Sequence, residues 1–595
     1  MSPGIFVKNK TGEGNEKMLR LSKYLNPYKP KIALMLLMLF LQVLGTLYLP
    51  TLTAEIVNNG IVKGDIGFVW RTGGVMLGVA LLTAGVSVLE TYLSISSFSA
   101  MGRDLRNDLF RKSQELSLSE FNSFGPASMI TRCTHDVEQV QEAYMEAIEM
   151  LLPAPVMAVA GLILAFRKNP SLALLIVVST LIACVLMMLF NAKAIKLFHK
   201  LQLMLDGINR KLRELLTGMR DIRAYNRELY EQERTDRIFE NYSALAVKVN
   251  RLFAFLMPLI MTAMNGCTIL ILIIGGNSVG AGRMEIGDIM AMIEYAALIL
   301  MYMTMGIMVF MDMPQAQTCA DRIRQVLERG KDELPEDAQI HGNLLEEGIK
   351  RLAFRHVFFR YEDAEDAVLS DISFTAEAGK TTAVIGATGS GKTTLVNLIP
   401  RFFEPQSGTI LINDTDIKEI PPDELRRHIG FVPQKSYLFS GTIEDIFFSG
   451  KDDASEEEMR HAAQTAQIGE FIDGLEDGYK AKVSQGGSNF SGGQRQRFAI
   501  ARALVRRPDI YIFDDSFSAL DFKTDSLLRA ALKEEVGNAL VIIVAQRLST
   551  IMDADQIIVL DKGGIAGIGT HKELMKVCEP YRQIARSQLR DEELS

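Results

Sequence analysis

Residues 32–54 contain no Asp, Glu, Lys or Arg. A helix of that length rises about 35 Å, more than the roughly 30 Å of bilayer hydrocarbon. In lipid every backbone polar group has to be satisfied inside the segment, so such a run is committed to a membrane helix. Five further predominantly apolar stretches, at about 72–89, 150–166, 171–192, 252–274 and 286–311, are candidate spans. Six spans are therefore expected.

Their connections are unequal. Spans one and two, three and four, and five and six are joined by short segments with few basic residues, among them Lys63, Arg167 with Lys168, and Arg283. The two longer connections carry Arg103, Arg106, Arg111, Lys112 and Arg132, and then a dense series from Lys193 to Arg251. Basic residues mark the cytoplasmic side. Both long loops, both termini and the second half of the chain are thus expected in the cytoplasm, and the cytoplasmic membrane is the expected location. Trp70 stands where an interfacial anchor would enter the second span. Residues 17–30 read as a basic amphipathic stretch on the membrane surface. The two long loops keep helical periodicity, so 116–124 and 219–228 would lie well beyond the bilayer, either as levers for a cytoplasmic engine or as solvated hairpins.

Length and charge exclude other classes. A chain of 595 residues exceeds a single core. The net charge of −8 leaves no basic footprint for nucleic acid. The five cysteines (Cys133, Cys184, Cys267, Cys319 and Cys578) lack paired or metal-type spacing and read as reduced thiols. The hydrophilic stretch 8–17 is unlike a secretory signal peptide.

From about residue 352 short β-type runs alternate with helices: 368–375, 382–385, 409–412, 429–432, 509–513, 540–544 and 557–560. That alternation predicts a predominantly parallel sheet with ligands at its strand ends. Between the run 382–385 and a helix lies Gly386-Ala387-Thr388-Gly389-Ser390-Gly391-Lys392-Thr393, followed by Thr394. It has the G-x-x-x-x-G-K-[ST] form in the strand–loop–helix context that form requires. Its glycines let consecutive N–H groups turn inward, and the helix start adds positive dipole, so a polyphosphate is the expected ligand. Lys392 would reach the β- and γ-phosphates and the Thr393 hydroxyl would hold Mg²⁺. The apolar run 510–513 ends in Asp514, the carboxylate such a magnesium needs.

Phe490-Ser491-Gly492-Gly493-Gln494 resembles the signature sequence of ABC ATPases. The companion features follow in order: Tyr361 as the adenine-stacking aromatic, the 386–393 loop, Gln434 as the Q-loop, Asp514 as Walker B, and Ser518-Ala-Leu-Asp521 as the D-loop. Six spans followed by one such domain resemble an exporter-type ABC half-transporter. The fold expected is a membrane α-helical six-span exporter domain followed by an α/β P-loop ABC ATPase domain. Its expected divisions are an interfacial segment at 1–30, the exporter domain at 31–320, a linker at 321–349 and the ATPase domain at 350–595. The resemblance implies ATP and Mg²⁺ as ligands, with Thr393, Gln434 and Asp514 at the metal. It also implies a dimer in which each ATP lies between one chain's Walker loop and the other's signature, and it places coupling helices at 116–124 and 219–228.

Two positions depart from the family pattern. Where a water-polarising glutamate is usual stands Asp515, and where a switch histidine is usual stands Gln546. A missing methylene withdraws the carboxylate by roughly 1 Å, an error that can cost about a hundredfold in rate. Glutamine lacks the ring nitrogen of histidine. Both changes fall in one half-site, which is expected to bind ATP and hydrolyse it poorly. The signature is intact, so pairing with a different half-transporter that carries Glu and His is expected, with a slow homodimer as the alternative. Gln485, where many exporters have a glutamate cross-contact, fits that asymmetry.

The substrate is less legible. Met290, Met292, Met301, Met303, Met305, Met308 and Met311 give the sixth span thioethers that suit either an adaptable cavity or gap-filling. Glu142, Glu146, Glu149 and Glu294 are candidates for attracting cationic groups or lie at wet helix ends. Export of a small amphipathic compound is the expected function. The alternatives are a lipid or peptide exporter with the same engine, the latter less favoured because no peptidase-like segment precedes the first span, and an ATP-gated channel or regulator.

Overall fold

The computed structural model describes residues 21–329, 345, 348–361 and 364–588. They fall into two compact units, one within 1–116 and 124–331, the other within 117–123 and 332–595.

All six expected spans are helices: α1 (Lys29–Glu55), α2 (Ile66–Glu115), α3 (Pro153–Lys168), α4 (Pro170–Thr217), α5 (Glu228–Gly280) and α6 (Ile286–Leu327). Among the described residues six helices are long and apolar enough to cross a membrane. Helices α2, α4 and α5 have 50, 48 and 53 residues. At about 1.5 Å per residue each extends well past the hydrocarbon, as the periodicity of the long loops requires. Short helices Leu118–Phe124 and Met219–Ala224 stand in the two long connections.

The packed interior of this unit centres on α6. Its Ile289, Met292, Tyr295, Ala296 and Ile299 join Val43 and Leu47 of α1, Met157 of α3, Ile176 of α4 and Ile271 of α5. Polar ties add to the packing: the hydroxyls of Thr51 and Tyr295 meet at 2.7 Å, and Gly287 N–H donates to Asn58 Oδ1 at 2.6 Å. Met292 and Met303 pack in this core, Met290 and Met301 are exposed, and the side chains of Met308 and Met311 lie outside the described residues. Glu142 and Glu294 are exposed, while Glu149 is half-buried and accepts a 2.6 Å bond from the Ser94 hydroxyl.

Of the expected interfacial stretch, residues 17–20 lie outside the described part, and Ser22–Tyr28 is a 3₁₀ stretch running directly into α1. Two expectations need correction. The segment expected as linker from 321 is helical to Leu327. Pro314 removes one hydrogen bond, yet Ala316, Cys319, Ala320, Ile323 and Val326 recur at helical spacing and are all buried, which carries α6 onward. Finally, the strands form two principal sheets, not one.

In the second unit β1 (Arg351–Phe359), β2 (Leu369–Glu377), β4 (Ser407–Ile412) and β5 (Thr415–Asp416) make an antiparallel sheet of order β2-β1-β4-β5. The runs 368–375 and 409–412 therefore belong to this sheet and not to the parallel one. The main sheet has the order β12-β11-β3-β10-β9-β6, from β3 (Thr381–Gly386), β6 (Ile429–Val432), β9 (Ile510–Asp514), β10 (Leu540–Val544), β11 (Gln556–Asp561) and β12 (Gly564–Gly569). All its pairs are parallel except β11/β12. A two-stranded pair, β7 (Gly441–Thr442) with β8 (Lys482–Val483), completes the strands.

At Gly287 an added Cβ would stand 2.4 Å from the Ala54 carbonyl and 2.6 Å from Asn58 Oδ1. Gly287→Ala is expected to cost about 1–3 kcal/mol by overpacking. The thermal unfolding midpoint of the purified protein should fall by several degrees, and an unchanged midpoint would show that α1 and α6 do not meet there.

Candidate nucleotide-binding site

Strands β3, β10 and β9 lie side by side, with Val544 in register with both Val384 and Asp514. Their C-terminal ends therefore bring the 386–393 loop, Gln546 and the Asp514–Asp515 pair to one edge of the sheet. Strand β6, beside β9, delivers Gln434 to the same edge. Val368, Thr388, Gly389, Gly391, Lys392, Thr393, Thr394, Gln434, Asp514, Asp515, Val544 and Gln546 line one cleft of about 290 Å³.

The loop closes as its glycines require. Gly389 and Gly391 have φ of +82° and +96°, and a Cβ on Gly391 would lie 2.9 Å from the Val368 carbonyl. Helix α7 (Lys392–Leu398) starts at once. Lys392 is 8 % exposed and donates to the Gly386 and Ala387 carbonyls, both at 2.8 Å. Burial pulls its pKa below the ordinary lysine value, against the fields of Asp515 and Asp514. The buried hydroxyl of Ser390 has no partner among the described residues, a donor suited to a phosphate oxygen.

Thr393 Oγ1 donates to Asp514 Oδ1 at 3.1 Å, and Asp514 is 3 % exposed. Burial raises the Asp514 pKa, with the Thr393 bond opposing. The donor set (a hydroxyl, a buried carboxylate and the carbonyl of Gln434) is the hard-oxygen chemistry Mg²⁺ prefers. No group of three or more His, Cys, Asp or Glu side chains makes a metal cage among the described residues. That fits an ion shared with nucleotide phosphates and water.

Asp515 has φ +47° and its N–H donates to Val544 O at 2.9 Å. One oxygen, Oδ2, accepts from both Gln434 Nε2 at 3.1 Å and Gln546 Nε2 at 3.0 Å. The two positions singled out as departures are thus in direct contact.

Tyr361 does not line the cleft. Its hydroxyl pairs with Thr394 Oγ1 at 3.0 Å, and its ring sits edge-on to Phe359 and Phe403. None of Phe490, Ser491, Gly492, Gly493, Gln494 and Asp521 lines the cleft either. Ser491 caps α8 (Gly492–Arg506) in a capping box: its oxygen accepts from Gln494 N–H at 3.2 Å and Gln494 Oε1 accepts from Ser491 N–H at 2.8 Å. The Ser491 hydroxyl proton is not used in this cap. Gly492 faces open space. Asp521 caps α9 (Phe522–Glu535) through Thr524, whose N–H and hydroxyl hold the carboxylate pKa below its usual value.

Three contributors carried no signal in the sequence. Buried Gln496 accepts from Ser436 Oγ at 2.7 Å and donates to Pro433 O at 3.3 Å, tying the signature helix to the segment holding Gln434. Phe403 completes the aromatic group around Tyr361. Gln588, on α10 (Glu579–Gln588), donates to Gln546 O at 2.7 Å and accepts from Leu548 N–H at 2.8 Å, fixing the turn that presents Gln546.

A family model described as the ABC transporter transmembrane region matches residues 32–303, and one described as ABC transporter matches 369–518. The chain is 38 % identical to an ABC transporter ATP-binding protein of Mycobacterium tuberculosis, over 96 % of its own length and 97 % of that relative. The chain belongs to the ABC transporters. It is also similar to YfiB, an ABC transporter ATP-binding protein of Bacillus subtilis, at 37 % identity over 96 % and 98 % of the two chains. A solved bacterial Atm1-family ABC exporter with ATP bound matches with a TM-score of 0.77 and 25 % identity, covering 95 % of this chain and 99 % of that one. This ABC transporter is an integral membrane protein of exporter architecture, its ATPase domain drives transport, and transporters of its family act as dimers.

Loss of the buried charge in Lys392→Ala should weaken binding of a fluorescent ATP analogue by about tenfold or more, and unaltered affinity would remove Lys392 from the site. A carboxylate holds Mg²⁺ as its anion, and the raised Asp514 pKa means that this anion is lost sooner on acidification. The Mg²⁺ enhancement of ATP affinity should therefore decline above the range near 3.9 in which an ordinary aspartate titrates. Asp514→Asn should abolish the enhancement at every pH.

Proposed function

We propose that this chain is one half of an ATP-driven exporter of small amphipathic compounds in the cytoplasmic membrane, with its ATPase domain and long helical extensions in the cytoplasm. Its own Walker half-site holds Mg²⁺·ATP and cleaves it slowly. Its signature, Phe490–Gln494, completes the site of a different half-transporter, which supplies the glutamate and histidine lacking here.

The observation that carries this reading is the shared oxygen of Asp515. The side chain positioned to polarise water is one methylene short, and its Oδ2 already accepts two amide N–H bonds. Lone pairs committed to amides are poor acceptors for a proton from water. Gln546 brings no titratable nitrogen to take the role over. Lys392, Thr393 and Asp514, which would grip the nucleotide and its metal, are all in place. The signature lies away from the chain's own cleft, which agrees with its serving a partner. The basic residues of the long connections support the orientation. Exposed Met290, Met301 and Glu294 on α6 support an amphipathic cargo.

The test is ATP hydrolysis by the purified chain alone and with its partner half-transporter. The chain alone should turn over at about a tenth of the pair's rate or less, and equal rates would overturn the reading. Asp515→Glu combined with Gln546→His should raise turnover at this half-site by roughly tenfold to a hundredfold. No increase would contradict the role assigned to these two positions.

A further inference from the structure

The chain passes between its two units after Leu116, returns at Phe124, and passes again beyond α6. Two of these three crossings are fastened to one another inside the membrane unit by guanidinium contacts centred on Arg132. Arg132 is 7 % exposed, and its Cζ stands 4.5 Å from the centre of the Phe124 ring. Its Nη1 donates to the backbone carbonyl of Arg322 on α6 at 2.7 Å, and its Nη2 reaches Gln325 Oε1 at 3.5 Å. Nε bonds Ser128 Oγ at 3.3 Å. In return Arg322 Nη2 bonds Asp136 Oδ1 at 2.5 Å, and Asp136 is fully buried. Arg329, near the end of α6, takes a further position 5.6 Å from the Phe124 ring.

Three physical points make this more than packing. Among the described residues Arg132 forms no ion pair with a carboxylate, so the ring face and the α6 carbonyl solvate its charge. A cation over a ring is held more strongly once water is excluded. A planar fork is needed to lie on a ring and donate sideways at the same time, which lysine cannot do. Moreover, Arg132–Asp136 is a π-helical turn, a local widening often found where a helix serves a function, and both partners of the joint sit on it.

We propose that Phe124, Arg132 and Asp136, with the end of α6, form a transmission joint. Its side chains are positioning residues that make two separate chain crossings move as one body. Movement of the ATPase unit is thereby delivered to α6 and to the 124–136 segment together. The joint serves coupling, and nucleotide binding and cleavage do not depend on it. The claim stands on family membership and on this geometry, independently of how fast either ATP site works.

The experiment uses the purified transporter in lipid nanodiscs, with the native cysteines replaced and Met301→Cys introduced as a reporter on exposed α6. Labelling by a membrane-impermeant maleimide is timed with and without Mg²⁺·ATP, beside ATP affinity and turnover. With Phe124 present, ATP should change the labelling rate by about fivefold or more. In Phe124→Leu, which keeps bulk and loses the ring, that change should nearly vanish while ATP affinity and turnover stay within about twofold. Phe124→Tyr should restore the response, Arg132→Lys should behave as Phe124→Leu, and the double variant should be no worse than either. The proposal is overturned if Phe124→Leu keeps the full response, if Phe124→Tyr fails as badly, or if the two losses add. Loss of ATP affinity along with the response in all variants also overturns it, because that marks a purely structural role.

Discussion

Two buried charges at the C-terminal edge of the main sheet set the terms for everything around them. Asp514 and Lys392 are almost wholly excluded from water, and among the described residues they form no ion pair with each other. Isolated buried charges are costly, and the protein meets that cost with neutral partners: a threonine hydroxyl for one, two loop carbonyls for the other. In the proposed site Mg²⁺·ATP would bring a cation for the carboxylate and phosphates for the ammonium at once. The loop glycines, the strand order β3-β10-β9 and the register of Val544 all hold these two charges in place until then.

Beside this grip the cleaving apparatus is built differently. Asp515 follows Asp514 in the chain, yet its left-handed backbone turns it into a hydrogen-bonded meeting point for Gln434 and Gln546. Gln546 is itself fixed from behind by Gln588. The slow cleavage proposed for this half-site rests on that arrangement, in which one Asp515 oxygen already accepts from two amides.

Much of the fold was legible because its determinants are local or periodic. Uncharged runs longer than a bilayer can only be helices, and an apolar strand running into glycines and Lys392 can only present that lysine at a strand end. The errors have equally definite causes. The charges at Asp321, Arg322 and Arg324 suggested a linker, but the small and apolar residues between them keep helical spacing and bury one face of α6. The runs 368–375 and 409–412 looked like the other strands, since alternation does not say which sheet a strand joins. Gln496, Gln588 and the Arg132–Phe124 contact join residues far apart or on different turns, and no local pattern announces such pairs. At the site, the motif residues were found from sequence, whereas the sharing of one Asp515 oxygen by two glutamines required the fold.

The central claim is that this half-site holds nucleotide and cleaves it only slowly. The most direct measurement is the chemical identity of the nucleotide recovered from it. The assembled transporter is loaded with radiolabelled Mg²⁺·ATP, allowed several turnovers, freed of loosely bound ligand and extracted. A partner whose own Walker lysine has been replaced ensures that retained label comes from this site. Intact ATP should predominate. Recovery mainly of ADP, formed as fast as in the unmodified pair, would contradict the account.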